Sequence, residues 1–212
     1  MLRTAFLVDG FNLYHSLVEA KHALQGRGTR WLDLRSLCAS FLPHIDTAAR
    51  LGPVHYFSAL AKHREQIDPQ VTVRHLAYIA CLEATGVTVE LSRFKLKHGT
   101  CRNCGSMTTR HEEKETDVAI AVRLLELLHT GRCTAAVLVT GDSDITPGVR
   151  CAQRLFPKIP VYACFPYNRQ SLELKAASSG AFRITKEAYA RHQFSDPIVL
   201  AGGRSIRKPV HW

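Results

Sequence analysis

Five polar side chains stand where apolar segments of this chain stop. Residues 4–9 read Thr-Ala-Phe-Leu-Val-Asp, with Gly10 and Asn12 just beyond. Residues 134–144 read Thr-Ala-Ala-Val-Leu-Val-Thr-Gly-Asp-Ser-Asp, so Asp142 and Asp144 close a second apolar run. Asp117 opens a third segment, apolar at 118–122, 124, 125, 127 and 128. A carboxylate beside buried apolar chain is costly unless something cationic holds it. Oxygen donors such as Asp9, Asn12, Asp117, Asp142 and Asp144 are what a hard divalent cation, magnesium or manganese, takes up. Such an ion lowers the pKa of a bound water and neutralises a phosphodiester oxygen. These five are therefore the candidate catalytic residues; their spacing does not fix whether one ion or two bind.

The elements that must position them follow from periodicity and breakers. Residues 3–8 form a short apolar run that predicts a buried strand. A helix is expected from about Phe11 to Ala23, and a second begins after Asp33 as N-cap and ends near Phe41, before Pro43. Residues 53–59 predict a strand, and Asp68-Pro69 a helix running to about Thr85, with Gly86 as its cap. Strands are expected at 87–91, 134–140, 159–164 and 181–184, and helices at 116–130, 146–155, about 169–177 and 185–192. Residues 95–114 lack apolar periodicity and predict a loop or small insertion. Strands alternating with helices imply an α/β fold, a central mostly parallel sheet with helices on both faces. Sites in such sheets lie at the carboxyl ends of the strands, where Asp9 and Asp142 fall. Asp9 and Asn12 share a turn, and Asp142 and Asp144 flank Ser143 before a helix N-terminus that favours anions. The structural alternative is that these acids only cap helices, but a cap explains one acid and not the whole set.

At 212 residues the chain suits one domain over 1–192, with a basic Cys/His insertion at about 95–114 and a poorly ordered basic tail at 193–212. No apolar run approaches a membrane span, and Met1-Leu2-Arg3 leads straight into a strand, so a cytoplasmic location is expected. A net charge of +10 around an acidic site suits a polyanionic substrate handled by a metal. Homo-oligomerisation is left open by the sequence. Cys38, Cys81, Cys133, Cys151 and Cys164 read as buried thiols. Cys101 and Cys104, bracketed by His98 and His111, are the candidate ligands of a structural zinc; an unmetallated turn or redox pair is the alternative. Around them Arg93, Lys95, Lys97, Arg102, Arg110 and Lys114, with Phe94 interleaved, form a candidate phosphate-contacting face. Asn168 and Arg169 follow a strand and should reach the same edge.

Three segments together resemble a known family. Phe-Leu-Val-Asp9-Gly10-Phe-Asn12-Leu, then Glu112-Glu113-Lys114-Glu115-Thr116-Asp117-Val118, then Val-Thr140-Gly141-Asp142-Ser143-Asp144 are similar to the signatures of NYN domains, nearest the LabA-like branch of the PIN-like nucleases. The resemblance spans about residues 3–185. It implies a PIN-like three-layer α/β/α sandwich, RNA as the partner and metal-dependent ribonuclease chemistry, giving products with a 5′-phosphate and a 3′-hydroxyl. By motif position Asp9, Asp117, Asp142 and Asp144 would bind magnesium or manganese. Asn12 would orient the metal or a water, and Ser143 would support the aspartate pair. Lys114, Lys95, Lys97, Asn168, Arg169 and Ser143 are the candidate substrate contacts. A further acid is implied before the central helix, and Glu112, Glu113 and Glu115 are all candidates.

Two other functions fit parts of the pattern. Asp142-Ser-Asp144-Ile-Thr146 matches the DxDxT signature of haloacid-dehalogenase-like phosphatases, in which the first Asp is a nucleophile. That signature normally lies on the first strand, and here it follows the fourth expected one. A catalytically weak module that binds RNA or protein through the basic face is the non-enzymatic alternative.

Overall fold

Apolar side chains alternate between two faces of the central strands, and helices cover both faces. The computed structural model describes residues 2–100, 105–200, 202–210 and 212, and not the side chains of residues 98, 108 and 110–113. The chain runs β1 (Arg3–Asp9), α1 (Gly10–Ala23), α2 (Leu34–Ser40), β2 (Arg50–Ala59), α3 (Val71–Ala84), β3 (Val87–Thr100) and β4 (Met107–Lys114). It continues through α4 (Thr116–His129), β5 (Ala135–Val139), α5 (Thr146–Leu155), β6 (Val161–Phe165), α6 (Leu172–Ala177), β7 (Gly180–Arg183) and α7 (Lys186–Arg191). The sheet order is β4-β3-β2-β1-β5-β6-β7. Every pair is parallel except β3–β4, so six parallel strands form the centre.

On one face Phe6, Val8, Val137 and Val139 pack under α1, α2, α3 and α7 through Leu13, Leu17, Leu37, Leu82 and Tyr189. On the other, Ala5, Leu7, Ala136 and Leu138 pack under α4, α5 and α6 through Ile120, Leu124, Val149 and Leu174. This is the expected three-layer α/β/α arrangement. Each fully buried Leu, Ile or Val contributes about 1.5–3 kcal/mol, so near-continuous apolar strands are what a sheet covered on both sides requires.

Chain order places the site. From β1 the chain crosses to β2 on one side, while β5 pairs on the other side of β1. The carboxyl ends of β1 and β5 therefore flank a topological switch point, where loops diverge and leave a crevice. Asp33 caps α2, its side chain accepting from Ser36 N at 3.0 Å, and α5 occupies the expected 146–155.

The segment 95–114, expected as a loop or small insertion, is largely an antiparallel hairpin rather than a loop. β3 continues to Thr100 and pairs with β4 from Arg93↔Lys114 to Thr100↔Met107. The ladder satisfies the backbone of both strands, so polar residues stay extended without a core to bury them. A period-two signal was present, with Phe94 and Leu96 alternating against Arg93, Lys95 and Lys97. The added strand makes β5 the fifth strand in chain order rather than the fourth. Cys101 and Cys104 lie outside the described residues. The backbones of His98 and His111 pair with Thr109 and Leu96, but their side chains are not described, so the zinc expectation falls outside the described part.

The segment after α7 packs back onto the body instead of trailing free. Phe194 and Ile198 are buried, and Ile206 and Trp212 pack against the same core. Among the five expected buried thiols, Cys38, Cys81, Cys133 and Cys164 are buried and Cys151 is half-buried. Among the described residues, no helix is long and apolar enough to cross a membrane.

Candidate active site at the carboxyl edge of the sheet

Register brings the first contact. Val8 of β1 pairs with Val139 of β5, so the next residues, Asp9 and Thr140, lie side by side. The Thr140 hydroxyl donates to Asp9 Oδ2 at 2.9 Å. Asp9 Oδ1 accepts from Asn12 N at 2.9 Å, which also makes Asp9 the N-cap of α1. The Asn12 amide oxygen accepts from Gly141 N at 3.0 Å, and the Thr140 hydroxyl accepts from Asp142 N at 3.1 Å. The β1–α1 turn and the β5–α5 turn are thus stitched together by three side chains. Asn12 acts as a staple between them.

Two glycines permit the close approach. A Cβ on residue 10 would lie 2.5 Å from the Phe57 carbonyl oxygen and 2.6 Å from the Tyr56 ring. A Cβ on residue 141 would lie 2.7 Å from Arg169 Cβ. The loop after β6 therefore packs directly on the aspartate turn. That loop is held in place by Ser16, which donates to the Tyr167 carbonyl at 2.8 Å and meets the Tyr189 hydroxyl at 2.8 Å.

Asp142 Oδ1 accepts from Asp144 N at 3.0 Å, closing a turn ahead of α5. The N-cap of α5 is Ile145, with no side-chain cap bond, so neither aspartate serves as its cap. Asp117 lies in the first turn of α4, behind Glu115, whose backbone is left-handed at φ 78.

Electrostatics tie the four aspartates to one another. Burial raises the pKa of Asp9, its hydrogen bonds from Asn12 and Thr140 lower it, and the charge of Asp142 raises it again. Burial, then Asp142, Asp9 and Asp144, push Asp117 up to about 6. The donor set is all-oxygen and its aspartates repel one another, which fits a hard divalent cation in donor type and charge. As placed, no three His, Cys, Asp or Glu side chains among the described residues close on a single point.

The other expected contacts divide. Arg169 stands against Gly141 but its guanidinium is paired with Glu19. Asn168 takes a left-handed backbone at φ 58 in the same loop. Ser143 is exposed, and its carbonyl accepts from Thr146 N. Lys114 ends β4 opposite Arg93, at the base of the hairpin. Lys97 lies further along the arm, opposite Arg110. Lys95 is 3.4 Å from Glu115, which Arg93 also holds at 3.0 Å. Glu115 is thereby engaged by cations on the arm and does not appear among the charges acting on Asp117. The side chains of Glu112 and Glu113 are not described.

Sequence reasoning missed Thr140 and Gly141 as positioning residues; a hydroxyl directly before Gly-Asp at a strand end was the available signal. It also missed a pocket of about 310 Å³ that opens beside Gly10, walled in part by Phe11, His15, His63, Tyr78, Phe94 and Trp212.

The fold is doubly wound α/β, with Asp9 and the Asp142 turn joined through Thr140 at its switch point. The chain belongs to the NYN domain family, which matches residues 3–184 and places it in the PIN-like nuclease superfamily. This family match covers the segment that the phosphatase alternative would need. The chain is 24% identical over 244 residues to a 6-hydroxy-3-succinoylpyridine 3-monooxygenase of Pseudomonas putida, covering 100% of this chain and 75% of that protein. A crystal structure of a Vibrio parahaemolyticus protein of unknown function shares the fold with a TM-score of 0.56 at 18% identity, over 87% of this chain and 93% of that one.

Proposed function

We propose that this protein is a metal-dependent ribonuclease of the LabA-like branch, acting in the cytoplasm on RNA phosphodiesters. One observation carries the reading: the Thr140 hydroxyl joins Asp9 to the Asp142 turn, and burial and aspartate neighbours raise the pKa of both Asp9 and Asp117. Asp9, Asp117, Asp142 and Asp144 would hold magnesium or manganese, which would acidify a water and neutralise a phosphodiester oxygen. The chain's own residues set the geometry. Thr140 and the Asn12 amide hold Asp9 in one rotamer, and Asp142 is tied to the same hydroxyl through its backbone. The Arg169 loop closes one side of the crevice, and the basic hairpin flanks α4 on the other. Net charge of +10 draws the polyanion to this acidic edge.

The test is incubation of the purified protein with single-stranded and structured RNA in manganese. Products with a 5′-phosphate and a 3′-hydroxyl are expected, and Asp142→Asn should abolish cleavage. Cleavage that persists unchanged in that variant refutes the proposal. One observation favours a second reading, in which the site takes a small heteroaromatic anion. The matched Pseudomonas putida protein is named for a substituted pyridine, and the ring-lined pocket adjoins Gly10. Mass spectrometry of protein incubated with pyridine carboxylates separates the two.

A further inference from the structure

The pocket beside the β1–α1 turn differs from the carboxylate edge in every physical respect, yet the two share Gly10, the residue after Asp9. Its lining contains three arginines, Arg30, Arg64 and Arg74, and no carboxylate among the described residues; Arg74 is paired with Asp68 just outside it, so Arg30 and Arg64 are the cations relevant to a ligand. Two groups of rings wall it. Phe94 meets Phe11 at 6.5 Å and His63 at 4.7 Å, both edge to face. Trp212 meets Tyr78 at 5.2 Å and His75 at 6.5 Å, both tilted, and Arg30 lies 5.9 Å over the Trp212 ring. Rings that only fill a core are fully buried, as Trp31 is at 1% exposure; Phe11 is 46% exposed at this rim. His15 links the two sites: its pKa is lowered by burial and Arg169, and raised by Glu19 and Asp9.

Solvent-facing rings beside arginines recognise a planar heteroaromatic group that carries an anion. Base–aromatic stacking and guanidinium–phosphate pairing are the two halves of single-strand recognition. A volume of about 310 Å³ is small for a ligand pocket and has room for one base and its sugar. We infer that this pocket holds the base and adjoining phosphate of one nucleotide of a single-stranded RNA, next to the phosphodiester presented to the aspartates. The inference rests on the ribonuclease reading for the identity of the strand. The same chemistry could come from a free heteroaromatic anion, and the experiment separates the sources.

Binding is measured in chelator, where metal-dependent cleavage is silent, with a fluorescein-labelled oligoribonucleotide, the same strand carrying abasic sites, free adenosine monophosphate and pyridine-3-carboxylate. Tryptophan fluorescence gives a second readout, because Trp212, one of the chain's two tryptophans, forms a wall of the pocket. Phe11→Ala and Phe94→Ala should each weaken the intact strand by about 5- to 100-fold and leave the abasic strand unchanged. Arg64→Gln should weaken both strands equally and reduce the salt slope by about one. Phe11 is half exposed, so its truncation leaves the fold intact, and a thermal melt confirms this. Equal losses on intact and abasic strands overturn the inference, even if the wild type cleaves RNA. Free monophosphate or pyridine carboxylate binding as tightly as the strand also overturns it. Base-dependent binding in chelator without cleavage in manganese sustains the pocket and refutes the hydrolytic reading alone.

Discussion

Replacing Asp117 with Asn removes a carboxylate that the fold holds at a cost. Burial, followed by the charges of Asp142, Asp9 and Asp144, raises its pKa from 3.8 to about 6. At about 1.4 kcal/mol per unit, this shift corresponds to ~3 kcal/mol against the charged form. The side chain is only half-buried and solvent screens part of the repulsion, so a gain of ~1–2 kcal/mol is expected for the metal-free variant. The sign follows from proton linkage. Folded Asp117 holds its proton more tightly than the unfolded chain does. The stability it supplies is therefore complete below pH 3.8 and is lost as pH rises through about 6. Asn does not ionise and loses nothing over that range. In chelator at neutral pH, Asp117→Asn should melt about 3–6 °C above wild type for a chain of this size. The difference should shrink toward nothing as pH falls below the carboxyl's ordinary value. Saturating manganese should reverse the order, because wild type alone gains binding free energy, ~2.7 kcal/mol at one hundred times Kd. Thermal melts at two pH values, each in chelator and in manganese, check all of this. A variant less stable than wild type in chelator at neutral pH, or a difference that ignores pH, would falsify the argument that the aspartates crowd one another.

Thr140→Val keeps the volume of residue 140 but leaves Asp9 Oδ2 and Asp142 N without their shared hydroxyl. Denaturant titration should show a loss of about 1–3 kcal/mol, and Thr140→Ser should restore both stability and cleavage. Gly10→Ala drives a methyl to 2.5 Å from the Phe57 carbonyl oxygen, so a loss of at least ~1–3 kcal/mol is expected by the same titration; a neutral outcome would show that β2 yields freely at that point. Glu115→Gln frees Arg93 and Lys95 without touching the aspartates, so manganese-dependent cleavage should persist, and its abolition would make Glu115 the missing acid.

Local features were readable because their physics is local. Asp33 could be read as a cap because its partner is three residues away, and the 146–155 helix from its own periodicity and first-turn proline. The central strands β1, β5 and β6 announced themselves by near-continuous apolar runs. The β3–β4 hairpin did not, because its backbone is satisfied by the neighbouring strand and its side chains need no core. The 193–212 segment looked like a tail for the converse reason. Its two Pro, its Gly pair and three basic residues read as breakers and solvated chain, while the apolar ones that pack, among them Phe194, Ile198 and Trp212, carry no period.

The candidate site divides in the same way. Residue types and their positions at the ends of apolar runs were enough to single out Asp9, Asn12, Asp117, Asp142 and Asp144. The chain alone could not say that Thr140 would bond Asp9, since that follows from the β1–β5 register across 131 residues. It could not assign Glu115 to the hairpin's cations rather than to the aspartates, nor assemble a pocket from α1, β2, α3, β3 and Trp212. The sequence by itself determined which groups are present and which local turns display them. Only the tertiary structure decided which of them meet, because strand register and burial set the contacts and charges that no local pattern encodes.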